Sequence, residues 1–292
     1  MSFPFDHVEQ QTFEATLTHS FVGNLSVLSV KLVDDLRFDS EIDIATLVHH
    51  PSIRVIKAIF GINNCIQVVG DVDYWDPEKI KLVEHELRYK LCSNEFSHIN
   101  YGYTGRIRDN SYGVNTMVSR IADKNEAIAK KLIANVVSFH TPHAIKNWGC
   151  TTSNSCTKFV CVGPDAKFGD DIIITDLMCG EIICVEGGIQ SFRQVLNMLI
   201  LDRRVTLIHG CRTEESARYF SCSRFLNYCR EFKNKNKQQV ENLVNKYLDK
   251  LLMYSKKKED HMTKNALFID AIKKFYDHEL WKKLDKCVFL EI

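Results

Sequence analysis

No apolar run in this 292-residue chain approaches the roughly 20 residues that cross a bilayer, so no membrane-spanning helix is expected. No charge of one sign dominates either: 38 Lys and Arg stand against 37 Asp and Glu, a formal net charge of +1. Bulk attraction to nucleic acid is thereby excluded as the organising force, and nucleic acid is not an expected partner. Among the 11 cysteines, spread from Cys65 to Cys287, none forms a Cys-x-x-Cys pair. Met1 to Gln11 carries no basic segment ahead of an apolar core, so an export leader is not expected there. The thiols therefore read as reduced, many of them filling core space in a cytoplasmic protein.

What the chain has is enough apolar material for a core, 45% of its residues, with 26% charged. Its charge is uneven. From Glu231 to Ile292 there are 14 lysines, no arginine and 10 acids, a local net charge of +4. This contrast sets off a lysine-rich helical extension, 231–292, from a core, 63–230, and an N-terminal β-rich addition, 1–62. In the extension Val240, Leu243, Val244, Tyr247, Leu248, Leu251 and Leu252 recur at helical spacing, and a second helix is expected from Thr263 to Trp281. In the addition, Phe13–Val22 and Leu25–Val33 read as two strands about a Gly23-Asn24 turn. A helix follows from Ile44 to Phe60, broken near Pro51.

Between these flanks, strand-like runs alternate with helical patterns. Cys65–Val69, Phe96–Tyr103, Leu132–Phe139, Phe159–Val162, Glu181–Val185 and Arg204–Ile208 read as strands, while Asp171–Thr175 fits strand or helix. Pro77 suits the first turn of a helix whose apolar face is Ile80, Leu82, Val83, Leu87 and Leu91. Such alternation implies an α/β fold with a parallel sheet, in which ligands bind outside the carboxyl ends of the strands.

Three loops at that edge carry candidate chemistry. In the first, a strand stops at Glu186, and Gly187-Gly188 allows a sharp turn before a helix that starts near Ser191. Exposed amides and the helix dipole favour an anion there, most simply a phosphate, with Ser191 and Arg193 as further donors. The second is Asn100-Tyr-Gly-Tyr-Thr-Gly-Arg106, in which Gly102, Thr104, Gly105 and Arg106 form a candidate anion nest. The third is Gly70-Asp71-Val72-Asp73, whose acids suit a ribose hydroxyl, a metal or a plain helix cap.

The order of these elements resembles the Rossmann-like LOG and SLOG proteins, which include cytokinin-activating phosphoribohydrolases and sensors of nucleotide-derived signals. The resemblance spans roughly Cys65 to Cys211. Against the enzymes' Pro-Gly-Gly-x-Gly-Thr-x-x-Glu, this chain has Glu186-Gly187-Gly188-Ile189-Gln190-Ser191-Phe192-Arg193-Gln194. The two glycines match and Ser191 replaces Thr, but the third glycine is Gln190 and the closing glutamate is Gln194. A neutral amide supplies neither a carboxylate base nor charge for an oxocarbenium ion, which leaves Glu186 as the candidate catalytic acid.

The resemblance thus implies a Rossmann-like core that binds a small nucleotide-derived ligand as sensor or carrier, with an N-glycoside hydrolase as the alternative. A homodimer is implied by the resemblance alone. A non-catalytic scaffold, whose glycines only make turns, is the third reading. His140-Thr-Pro-His143 with Cys150 and Cys156 gathers zinc-type donors, but the spacing fits no standard finger, so no metal or cofactor is expected.

Overall fold

A computed structural model describes residues 17–22, 24–31, 43–71, 75–93, 95–102, 113–137, 155–163, 166, 169–214, 220–230, 235–236, 238–239, 241–242, 245 and 261–292. Its strands are β1 (Leu17–Val22), β2 (Leu25–Val30), β3 (Cys65–Gly70), β4 (His98–Gly102), β5 (Leu132–Val137), β6 (Lys158–Val162), β7 (Glu181–Val185), β8 (Arg204–His209) and β9 (Val288–Glu291). They form one sheet in the order β1-β2-β6-β5-β4-β3-β7-β8-β9. Among the described strands the β1–β2 hairpin is the antiparallel pair, and the other neighbouring pairs run parallel. The α/β class expected from the alternation is the one found, with added β and helical elements toward both ends of the chain. Among the described residues no helix is long and apolar enough to cross a membrane.

The helices are α1 (Pro51–Phe60), α2 (Pro77–Leu91), α3 (Val114–Asp123), α4 (Glu126–Ala129), α5 (Ile172–Met178), α6 (Ile189–Ile200), α7 (Cys222–Cys229) and α8 (His261–Asp277). Short 3-10 turns occupy Ile44–Leu47 and Leu280–Lys286. Pro51 and Pro77 each stand at the first position of a helix, where no intrahelical N–H is required. The break expected near Pro51 within Ile44–Phe60 is found, and it divides the stretch into two elements just before Pro51. Asp171–Thr175 resolves as helix, within and just before α5. The apolar positions from Val240 to Leu252 lie outside the described residues.

Central strands are buried on both faces, as a parallel sheet between helical layers requires. Every residue of β7 is buried. Its Ile183 and Val185 belong to a cluster that includes Ile80, Val83, Met117 and Ile121 of α2 and α3. Ile182 and Cys184, pointing the other way, pack with α6, α7 and α8. α1 and α5 cover the same second face farther along, over Leu28, Val160 and Cys65. Around Phe192 of α6 stand Phe225 at 5.4 Å and Phe268 and Phe275 at 6.1 Å, so the lysine-rich part of the sequence helps to fix α6. That part also supplies β9, the outer neighbour of β8.

Candidate functional site

β3 is followed in the chain by β4 on one side of it, while β7 returns to pair on its other side. The strand order reverses there, and a crevice at such a point outside the carboxyl ends is where open α/β sheets take ligands. Gly70 closes β3 and Asp71 follows it, while Glu186-Gly187-Gly188 and Cys211-Arg212 come after β7 and β8 at this edge.

Gly70 is required by close packing. A Cβ there would stand 2.3 Å from the carbonyl oxygen of Val185 and 2.7 Å from Cγ2 of Val114. The next residue ties three elements together: the Asp71 N–H donates to Val185 O at 3.2 Å, and its carbonyl accepts from Val114 N–H at 3.0 Å. The Asp71 carboxylate, 8% exposed, is gripped by Arg212, itself 3% exposed, through Nε at 2.6 Å and Nη2 at 2.9 Å. This fork–fork pair spans from the end of β3 to the end of β8, with β7 between them. Burial nevertheless pushes the Asp71 carboxyl up to about 6, against the opposing pull of Arg212 and the Gly187 amide.

The turn after β7 is left-handed at two successive residues, Glu186 at φ 56° and Gly187 at φ 80°. A side chain at Gly187 would meet Cys184 Sγ and Ser191 Cβ at 2.7 Å each. Glu186, which is not glycine, is held in this conformation by its partners. Its carboxylate, wholly buried, accepts from Cys211 N–H at 2.8 Å, Ser221 Oγ at 2.5 Å and Arg224 Nη2 at 3.3 Å. Carbonyls of Glu186 and Gly187 accept from Ser223 and Cys222 N–H, at the start of α7. Glu186 thus fastens the turn to β8 and α7.

Gly188 is different: nothing lies within 4 Å of where its Cβ would stand. It is the N-cap of α6, and Gly113 is the N-cap of α3, so both helices begin on residues with no side chain to cap them. The α3 start touches Asp71, and the α6 start follows the turn whose Gly187 amide reaches the same carboxylate. Two positive helix ends therefore adjoin one loop.

Of the residues singled out in the sequence, Gly70, Asp71, Glu186, Gly187, Gly188 and Ser191 come together here. Ser191 is buried beneath Gly187, and Arg193 is half-buried farther along α6. Gly102 ends the neighbouring β4. Thr104, Gly105 and Arg106 lie outside the described residues, as do His140, His143 and Cys150. Arg212 was not singled out, although it follows a strand end and that position was its one signal. No family model matches the chain, and no curated protein matches it.

Gln194 points away from the crevice into a buried polar seam on the second face of the sheet. Its Nε2 reaches Gln67 Oε1 at 3.3 Å and Asp176 Oδ1 at 3.5 Å. Asp176, fully buried, also accepts from Gln67 at 2.8 Å and Asn197 at 2.7 Å. Asn100, Asn135 and Thr175 continue the seam across β4 and β5. Burial pushes Asp176 up to about 7, with the surrounding amides and Arg203 pulling the other way.

A carboxyl raised in the folded state contributes stability at low pH that is lost as pH rises through its folded value. Asp176→Asn is therefore expected to remove a decline on the order of 3–4 kcal/mol between about pH 4 and 7. Urea unfolding of both proteins across that range measures it; parallel pH profiles would refute the assignment.

A cavity of about 700 Å³ lies at the opposite edge of the sheet, at the amino ends of β7 and β8, lined by Lys90, Phe96, Glu181 and Arg204 among others. Arg204 there pairs with Glu181 at 3.1 Å and Glu95 at 3.6 Å. It is remote from the strand carboxyl ends and adds nothing to the crevice.

Proposed function

We propose that the chain binds a nucleotide or nucleoside phosphate in the crevice outside β3 and β7, as a sensor or carrier with a LOG/SLOG-like core between residues 63 and 230. The phosphate lies at Gly188 and the first turn of α6, flanked by the start of α3. The observation that carries this reading is the meeting of two glycine-started helices at one loop of the switch point. Asp71 is committed to Arg212, so it orders the crevice wall and leaves the phosphate to the amides beyond Gly187.

The binding reading is favoured over turnover by the two carboxylate positions. The buried Glu186 carboxylate is engaged by three partners, and Gln194 faces the interior. Neither residue offers a free acid to a bound glycoside.

Gly188→Asp tests the placement. Aspartate is a favoured N-cap and there is room for it, so thermal stability is expected to hold or rise slightly. Its carboxylate would occupy the anion position, and affinity for ribose 5-phosphate and nucleoside monophosphates is expected to fall at least about tenfold. No stabilisation of the wild-type protein by any of these would sink the proposal; chromatography of the mixtures for released base separates a sensor from a hydrolase.

A further inference from the structure

We infer that the indole N–H of Trp75 is a ligand-binding donor of this crevice, satisfied by an oxygen of the ligand's sugar-phosphate part. The inference rests on the proposed binding function and extends it to a residue outside the glycine loops.

Trp75 stands between the loop after β3 and the Asp76 cap of α2. Its main chain bridges to Arg212, and the adjacent Asp76 N–H donates to Cys211 O at 2.8 Å. The residue is thus fixed against the segment that grips Asp71. It is 7% exposed and belongs to a buried cluster that includes Val185 at the end of β7, Ile208 next to the end of β8 and Val114 at the start of α3. Its Nε1 is buried without a hydrogen-bond partner among the described residues.

A buried indole N–H normally finds an acceptor, because leaving it unpaired forfeits its hydration. A tryptophan kept there with an orphan donor is therefore explained by an acceptor that arrives from outside the chain. The neighbouring helix starts favour a negatively charged or strongly polarised oxygen, which a ribose phosphate presents and an uncharged base does not.

Trp75→Phe keeps an aromatic ring and deletes the donor. Urea unfolding without ligand checks that the variant is folded, because the smaller ring leaves a cavity that offsets the removal of a buried unsatisfied group. Affinity for ribose 5-phosphate, measured by calorimetry, is expected to fall about tenfold, the value of one hydrogen bond to a charged oxygen. Equal affinity of the two folded proteins overturns the role given to Trp75. If wild type binds neither ribose 5-phosphate nor any nucleoside monophosphate, the binding function itself fails. A loss seen with a nucleoside monophosphate but not with ribose 5-phosphate would move the contact to the base and refute the sugar-phosphate assignment.

Discussion

Asp71→Ala is expected to cost about 3–5 kcal/mol of folding stability, read from urea unfolding between pH 5 and 8. The substitution strands the Arg212 guanidinium, 3% exposed, without its bidentate partner. Arginine cannot shed its proton to escape, so the buried charge that has lost its carboxylate persists at every pH of the measurement. Arg212→Met should be milder, about 1–3 kcal/mol, because the stranded carboxyl can neutralise itself by taking up a proton.

The sign of its pH dependence follows. Asp71 is already pushed up to about 6 by burial with Arg212 present, and removing the guanidinium raises it further. Stability supplied by the protonated carboxyl is present at low pH and lost as pH rises through the folded value. The Arg212→Met defect should therefore be larger at pH 8 than at pH 5. Replacing both residues with apolar ones should recover most of the loss, since a buried pair gains little over well-packed hydrophobic side chains. Equal, pH-independent costs for the two single variants would show that the pair is not the buried unit described.

The second large effect is expected at Gly187. Gly187→Ala forces a Cβ into a left-handed residue at φ 80°, and within 2.7 Å of Cys184 Sγ and Ser191 Cβ. The backbone conformation costs an L-residue about 1–2 kcal/mol, and overpacking adds about 1–3. Together they predict a loss of about 2–5 kcal/mol in chemical denaturation. Gly188→Ala is the control. Its Cβ meets nothing within 4 Å, so the cost should stay under about 1 kcal/mol, the difference between glycine and alanine at an N-cap. If both alanines are equally harmful, the turn does not have the geometry described. If only Gly187→Ala harms the fold, Gly188 is free to be judged by its effect on ligand.

The two glycines look alike in sequence but differ in task. Gly187 is demanded by the turn, packed on Ser191 and held under α7. Gly188 is demanded by nothing in the protein itself, which is why it serves as the probe for an external anion. This distinction depends on the surroundings of each Cβ, which adjacency in sequence does not report.

The sequence by itself determined the local elements. Apolar periods of two and of about three and a half placed the core strands and α2, and Pro51 and Pro77 marked the starts of α1 and α2, because these signals act within a few residues. Alternation of strand and helix then determined a parallel sheet, and with it the carboxyl edge where Gly70 and Gly187 meet. Only the tertiary structure decided which side chains complete that edge. Asp71 and Arg212 are 141 residues apart, and Glu186 and Ser221 are 35 apart. The lysine-rich region looked like a helical appendage, yet it ends in β9, since a four-residue strand has too short a pattern to stand out until β8 offers it a partner. Gln194 faces Asp176, and not the crevice, for the same reason. Pairings of this kind are fixed by distant partners competing for burial and hydrogen bonds, and no window along the chain contains both sides of the contact.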